Sequence, residues 1–92
     1  MRKIGFNNIE IGNIYLIKDS NGYNEFIVKP IKKCKRPSEI SKSTVNYFKS
    51  YHYKIIVKRE YATKLGEIHD FGFFNSDKIY KLSEKELLAR LI

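Results

Sequence analysis

The 92-residue chain has a single cysteine, Cys34, and this scarcity limits the chemistry open to it. One cysteine cannot form an intramolecular disulfide, and it cannot supply the several thiolates of a cysteine-rich metal site. Chains without disulfides are typical of reducing compartments, so we predict a cytoplasmic location.

Long apolar runs are missing as well. Nothing in the chain approaches the roughly 18 consecutive apolar residues of a membrane-spanning helix. Residues 1–10 contain two cations, but no apolar segment of secretory length follows them. The amphipathic segment 83–92 is not net cationic, so its apolar stripe indicates core packing and not a membrane surface. We therefore predict neither an export signal nor a membrane partner.

Catalytic motifs are absent from the sequence. It contains no Gly-rich phosphate loop, no paired-carboxylate motif and no metal-ligand spacing, and its two histidines, His52 and His69, are far apart in the chain. Cys34 has no neighbouring histidine to act as its general base. We predict that the protein is not an enzyme and uses no cofactor or metal. An enzyme that relies on Cys34 or His69 is the least favoured alternative.

Positive charge is what the sequence has in excess, and the excess is concentrated in the middle. The whole chain carries a net charge of +8, whereas residues 29–64 alone carry eleven Lys or Arg against two Glu, a net +9. Residues 1–28 are neutral and residues 65–92 carry −1. A local excess of this kind predicts a polyanionic partner, and the competing interpretation is a solvated cationic surface that aids solubility.

The candidate binding residues all lie in or beside this basic middle. Five of the eight residues 29–36 are cations that could contact successive phosphates. Aromatic rings lie among the cations, a combination typical of proteins that bind single-stranded nucleic acid. Phe48 and Tyr53 are expected in the core, and Tyr47 and Tyr51 at the surface. The predicted nucleic-acid-binding residues are Lys29, Lys32, Lys33, Lys35, Arg36, Lys42, Tyr47, Lys49, Tyr51, Lys54, Lys58 and Arg59.

The first half of the chain predicts a β-hairpin. Residues 9–17 are rich in β-branched and aromatic residues, with a bulge or bend expected at Gly12 and Asn13. Residues 19–22, Asp-Ser-Asn-Gly, form a turn signal, and residues 23–33 form the returning strand. Pro30 has no amide hydrogen, so it is expected at a sheet edge or at a bulge.

The second half of the chain gives less uniform secondary-structure signals. Within residues 40–51, Tyr47, Phe48 and Tyr51 share one helical face, and the sequence leaves open whether residues 37–51 form a short helix or a loop. Further strands are predicted at residues 53–61, 67–74 and 78–82. Ser83-Glu-Lys-Glu86 is a capping box that predicts the start of a C-terminal helix.

About five short antiparallel strands, a long basic connection and a terminal helix predict one mainly β (α+β) domain over residues 1–92. Its general shape resembles that of the small SH3-like and OB-like barrels, with a bent sheet as the open form. The predicted function is a small basic module that binds DNA, RNA or a nucleoprotein complex. The alternative is a non-enzymatic inhibitor or adaptor of the kind encoded by phages and other mobile elements, such as an anti-CRISPR-like protein, directed at a host nucleic-acid enzyme or nucleoprotein complex.

Overall fold

The computed structural model of the chain describes residues 2–5, 8–20, 22–35, 46–57, 60–62, 67–73 and 77–91. Within these ranges the chain forms a seven-stranded antiparallel sheet and one helix. The elements are β1 (Arg2–Ile4), β2 (Ile14–Lys18), β3 (Glu25–Lys33), β4 (Asn46–Val57), β5 (Glu60–Ala62), β6 (Glu67–Phe73), β7 (Lys78–Leu82) and α1 (Glu84–Leu91). The strand order is β1-β7-β2-β3-β4-β5, and β6 pairs with the first half of β4. The predicted mainly β class with a C-terminal helix is confirmed, whereas the SH3-like or OB-like closure stays a prediction.

β2 and β3 form the predicted hairpin, and Asp19 organises its turn. The Asp19 carbonyl accepts a hydrogen bond from the Gly22 amide (3.1 Å). The Asp19 carboxylate accepts two more, from the Tyr23 amide (3.0 Å) and from Asn24 Nδ2 (2.8 Å). Gly22 has a φ of 73°, which glycine adopts without the steric cost that a Cβ would bring.

The first strand of this hairpin is shorter than predicted. It begins at Ile14 and not at residue 9, because the chain turns at Ile11 and Gly12. Gly12 has a φ of 90°, and its amide donates to the carbonyl of Pro30 (2.9 Å). The bend expected at Gly12 is therefore present, and it marks the start of the strand.

Two irregularities interrupt the pairing of β3 with β4. Between Ile27 and Val28 the register skips Tyr53, an additional residue in β4. Between Pro30 and Lys32 the additional residue is Ile31, in β3. Pro30 thus lies next to a bulge, as predicted, where a residue without an amide hydrogen is tolerated inside a sheet.

Residues 46–51 are strand, so both the helix and the loop alternatives are wrong for this part of the 37–51 segment. β4 extends through all of Asn46–Val57 and pairs with β3 on one edge and with β6 on the other. These pairings outweigh a weak local helical pattern. Residues 36–45 lie outside the described residues. The single strand predicted at residues 53–61 is also wrong in its bounds. β4 ends at Val57, and Glu60–Ala62 form a separate strand, β5, that pairs with the end of β4.

The centre of the sheet is buried on both sides. Tyr15, Leu16 and Ile17 alternate sides along β2, yet they are only 1%, 0% and 1% exposed. Tyr15 and Ile17 pack with residues of β3, β4 and β7 on one side. Leu16 packs on the other side with Leu87 of α1. Phe48 is buried in the first cluster, as predicted, whereas Tyr53 is half-buried and packs against the edge of the second.

The predicted capping box starts α1. The Glu86 amide donates to Ser83 Oγ (3.2 Å), and the Ser83 amide donates to Glu86 Oε1 (3.2 Å). These reciprocal bonds satisfy amides that the first helical turn leaves without intrahelical partners. They fix the start of the helix one turn before Leu87, its buried anchor.

Replacing Ser83 with Ala is expected to lower the free energy of unfolding by about 0.5 to 2 kcal/mol, because the cap is lost while the core is kept. Urea denaturation and oligonucleotide titration on the same variant test the two parts of this prediction. Ser20→Ala, in the exposed hairpin turn, is the matched control and should change stability by less than about 0.5 kcal/mol. An unchanged denaturation curve for Ser83→Ala, or a loss of affinity at full stability, would contradict the assignment.

Candidate nucleic-acid interface

Three neighbouring strands, β3, β4 and β6, bring several predicted binding residues to one side of the sheet. Residues opposite each other in an antiparallel pair project to the same side. The register sets Lys29 opposite Tyr51, and Lys32 opposite Lys49. On the other edge of β4, Ile68 lies opposite Tyr51. Tyr47 precedes Lys49 by two positions on a regular stretch of β4 and shares its side. We call this surface the tyrosine–lysine face, defined by Lys29, Lys32, Tyr47, Lys49, Tyr51 and Ile68.

The helix lies on the same side of the sheet but covers a different part of it. Its C-terminal end is anchored where β3 begins: Lys54 Nζ donates to the Arg90 carbonyl (3.3 Å), and Arg90 Nη1 lies 3.7 Å from Glu25 Oε1. The apolar cluster beneath the helix includes Ile27. Lys29, the next β3 residue on that side, is half-buried and belongs to the tyrosine–lysine face. The face therefore begins where the packing of the helix ends.

Most of this face is accessible to a large ligand. Lys32 and Lys49 are exposed, Tyr47 and Tyr51 are half-buried, and Ile68 is 54% exposed. The half-buried side chains of Tyr47 and Tyr51 keep part of their surface exposed. An extended ligand that lies along β4 could therefore contact rings and cations together.

Tyr51 is held in place by a second ring. The centroids of Tyr51 and Tyr53 are 4.8 Å apart and their planes meet at 60°, an edge-to-face arrangement. Tyr53 in turn packs against the helix-side core. Tyr51 therefore contacts a ring that itself packs against the helix-side core.

The charge arrangement on the face favours an anion. Lys32 and Lys49 lie opposite each other on neighbouring strands, and like charges in this position destabilise a sheet. A phosphate between the two ammonium groups would turn the repulsion into attraction. The register also places Asp70 opposite Lys49 on β6. On this face Lys49 therefore has an acidic residue opposite it on β6, whereas Lys29 and Lys32 lie opposite Tyr51 and Lys49.

The other predicted residues are not all on this face. Lys33 lies opposite Phe48, so it belongs to the other side of the sheet, although it is exposed at the end of β3. Lys35 is exposed just beyond that strand end. Lys54 is half-buried against the last helical turn, where a cation complements the carbonyl groups. Four predicted residues lie outside the described part of the chain: Arg36, Lys42, Lys58 and Arg59.

Sequence reasoning missed the apolar component of this surface. Ile68 and Ile31 are 54% and 42% exposed, respectively. Ile31 is the bulged residue next to Lys32, and Ile68 lies opposite Tyr51. Both isoleucines belong to strand-like apolar patterns that normally indicate core positions. Only the strand pairing and the bulge show that they are at the surface.

The polar residues on the opposite side of β4 are enclosed. Ser50 is 0% and His52 is 3% exposed, so neither is available to a ligand at the surface. Cys34 is half-buried, with its thiol 3.7 Å from the carbonyl of Lys32. Over the described ranges, no three His, Cys, Asp or Glu side chains are close enough to hold a metal ion. The same ranges contain no helix that is long and apolar enough to cross a membrane.

No protein-family model, curated protein or solved structure matches this chain. The function of the tyrosine–lysine face is therefore inferred from its geometry and charge.

Proposed function

We propose that the protein is a non-enzymatic, cytoplasmic nucleic-acid-binding module that contacts DNA or RNA, free or within a nucleoprotein complex, through the tyrosine–lysine face. One observation carries this proposal. Sheet pairing gathers Tyr47, Lys49 and Tyr51 of β4 with Lys29 and Lys32 of β3 on a part of the sheet that α1 leaves uncovered. Rings combined with cations on an open sheet are what single-strand binding requires.

The spacing on β4 suits a nucleic-acid strand laid along it. Residues on one side of a strand recur about every 6.8 Å, so a ring, a cation and a second ring follow each other in Tyr47, Lys49 and Tyr51. Bases can stack on the two rings while the intervening phosphate contacts the ammonium group. Lys29 and Lys32 lie one strand away, about 4.8 Å to the side, where they add further phosphate contacts.

The proposal also includes closure of the sheet into a small barrel. Tyr15, Ile17, Val28 and Ile79 are at most 1% exposed, and they lie on the side of the sheet opposite the described helix. A sheet that curls toward a small SH3-like or OB-like barrel would enclose these residues itself. In such a barrel the tyrosine–lysine face would lie on the outer surface beside the helix.

A titration of labelled oligonucleotides tests the proposed function. Single-stranded DNA, single-stranded RNA and duplex DNA of about 12 nucleotides cover the expected site size. Binding measured by fluorescence anisotropy should strengthen as salt is lowered. Three or four phosphate contacts correspond to a log-log slope of about −2 to −3 on single strands. Absence of binding to all three probes at roughly 50 mM salt would contradict the proposal.

The exposed isoleucines favour one second candidate. Ile31 and Ile68 adjoin the cations, and aliphatic groups of this kind gain more from an apolar protein surface than from a phosphate backbone. On this alternative the protein is an inhibitor or adaptor of phage or mobile-element type that docks on a host nucleic-acid enzyme. Affinity purification from the native cell, with and without nuclease, separates the candidates. A protein partner that survives nuclease and occurs with negligible oligonucleotide affinity would favour the inhibitor.

A further inference from the structure

A second cluster of cations lies at the β1 end of the strand order, away from the basic middle of the sequence. β1 pairs with β7 so that Arg2 is opposite Lys81, and β7 pairs with β2 so that Lys81 is opposite Tyr15. The three side chains therefore share one side of the sheet. They line a cavity of about 410 Å³, together with Lys3 and with polar residues of the segment before β2.

Buried Tyr15 and its hydrogen bonds form one wall of this cavity. Tyr15 is 1% exposed, and its hydroxyl accepts hydrogen bonds from the Glu10 amide (2.9 Å) and from Asn13 Nδ2 (3.3 Å). The same amide nitrogen of Asn13 donates to Glu10 Oε2 (3.3 Å). The acidic group of the cavity is thus held by Asn13, and a preformed polar wall remains beside the cations.

Arg2 and Lys81 are like charges directly opposite each other on neighbouring strands, an arrangement that is unfavourable unless a nearby anion offsets the repulsion. Like charges opposite each other weaken a sheet, and the described residues give neither cation a salt bridge. The pair also lines a smaller cavity, which Glu86 lines as well. The Glu86 carboxylate accepts the Ser83 amide there as part of the helix cap. Among the described residues that line the larger cavity, Arg2, Lys3 and Lys81 are cationic and Glu10 is acidic, so an anion in that cavity would offset the repulsion.

We propose that this cavity is a second binding site whose ligand is a phosphate group. The Arg2 guanidinium can donate two parallel hydrogen bonds to phosphate oxygens, and Lys81 adds a point charge from the facing strand. Asn8 adds a further side-chain amide group to the lining. The phosphate comes from a free phosphate or phosphomonoester, or from the backbone of a bound nucleic acid. The site is independent of the tyrosine–lysine face.

Titration of the ¹⁵N-labelled protein with inorganic phosphate tests the site. Saturable amide shifts are expected at the cavity, and the double variant Arg2→Gln/Lys81→Gln should abolish them. Lys18→Gln/Lys78→Gln is a matched control, because Lys18 and Lys78 are also a facing cationic pair but line neither cavity described here. The control should keep the parent shifts. The proposal fails if the parent shows no saturable shifts at the cavity, or if both double variants lose them equally.

A single substitution covers the case in which the double variant does not fold. If the Arg2→Gln/Lys81→Gln variant loses its folded amide spectrum, Arg2→Gln alone, at an exposed position of β1, takes its place and should weaken phosphate binding about tenfold or more. Unchanged affinity in that folded variant would overturn the proposal.

Oligonucleotide titrations then identify the source of the phosphate. Weaker oligonucleotide binding by the variant assigns it to a nucleic-acid backbone, and unchanged binding assigns it to a free phosphate or phosphomonoester.

Discussion

Replacing Lys29, Lys32 and Lys49 together with Gln is expected to weaken binding of single-stranded oligonucleotides about 100-fold near 0.1 M salt. Each lost phosphate contact removes about 0.7 of a unit from the log-log salt slope on single strands, so three contacts flatten it by about two units. Because this electrostatic contribution vanishes near 1 M salt, two units of slope correspond to about 100-fold at 0.1 M. Anisotropy titrations at several salt concentrations measure the affinity and the slope together.

The matched control is Lys18→Gln/Lys78→Gln/Lys85→Gln, which removes the same charge from positions outside the tyrosine–lysine face. It should retain most of the affinity and slope of the parent, since only long-range attraction is reduced. Stability of the first variant should change little, because Lys32 and Lys49 are exposed and face each other. Equal losses in the two triple variants would show that net charge, and not this face, determines binding.

Tyr51→Ala is expected to reduce affinity for single strands by about 1 to 3 kcal/mol while the salt slope stays nearly constant. The ring supplies stacking area and no charge, so its loss should shift the line of log affinity against log salt without changing its gradient. The lysine variants should change the gradient. This difference distinguishes base stacking from simple attraction to the backbone.

Two controls accompany this variant. Tyr51→Phe keeps the ring and should bind like the parent, while Tyr23→Ala removes a ring that is 49% exposed beyond the hairpin turn and should not affect binding. Thermal melts are needed as well, since loss of the Tyr51–Tyr53 contact should itself lower stability by about 0.5 to 1.5 kcal/mol. Parent-like affinity of a folded Tyr51→Ala variant would exclude stacking at this position.

The elements that were predicted correctly are those with local signals. The turn at Asp19, the strand at Lys78–Leu82 and the cap at Ser83 each depend on residues within a few positions of one another. β1 and β5 have three residues each and no such signal. They exist because a longer neighbouring strand presents an edge for pairing. The beginning of β4 was missed for the same reason, since its two partner strands, and not its own spacing, make it extended.

The candidate site was predictable in its location along the chain but not in its composition. Charge counting finds the segment that contains Lys29, Lys32 and Lys49. Their common side depends on the register and on a bulge at Ile31, which local sequence does not determine. Charge counting does not predict the cavity at Arg2 and Lys81, because residues 1–28 are neutral and residues 65–92 carry −1. Only the pairing of β1 with β7 brings these two cations together.

The most direct test of the central claim is an amide-shift map of the ¹⁵N-labelled protein titrated with a single-stranded oligonucleotide. The tyrosine–lysine face predicts that the largest changes occur at Lys29 and Lys32 of β3, at Tyr47 to Tyr51 of β4, and at Ile68 of β6. The outward side of α1, marked by the 63% exposed Leu88, should remain unchanged. Shifts that concentrate on α1 or at the Asp19 turn, with β3, β4 and β6 unaffected, would contradict it.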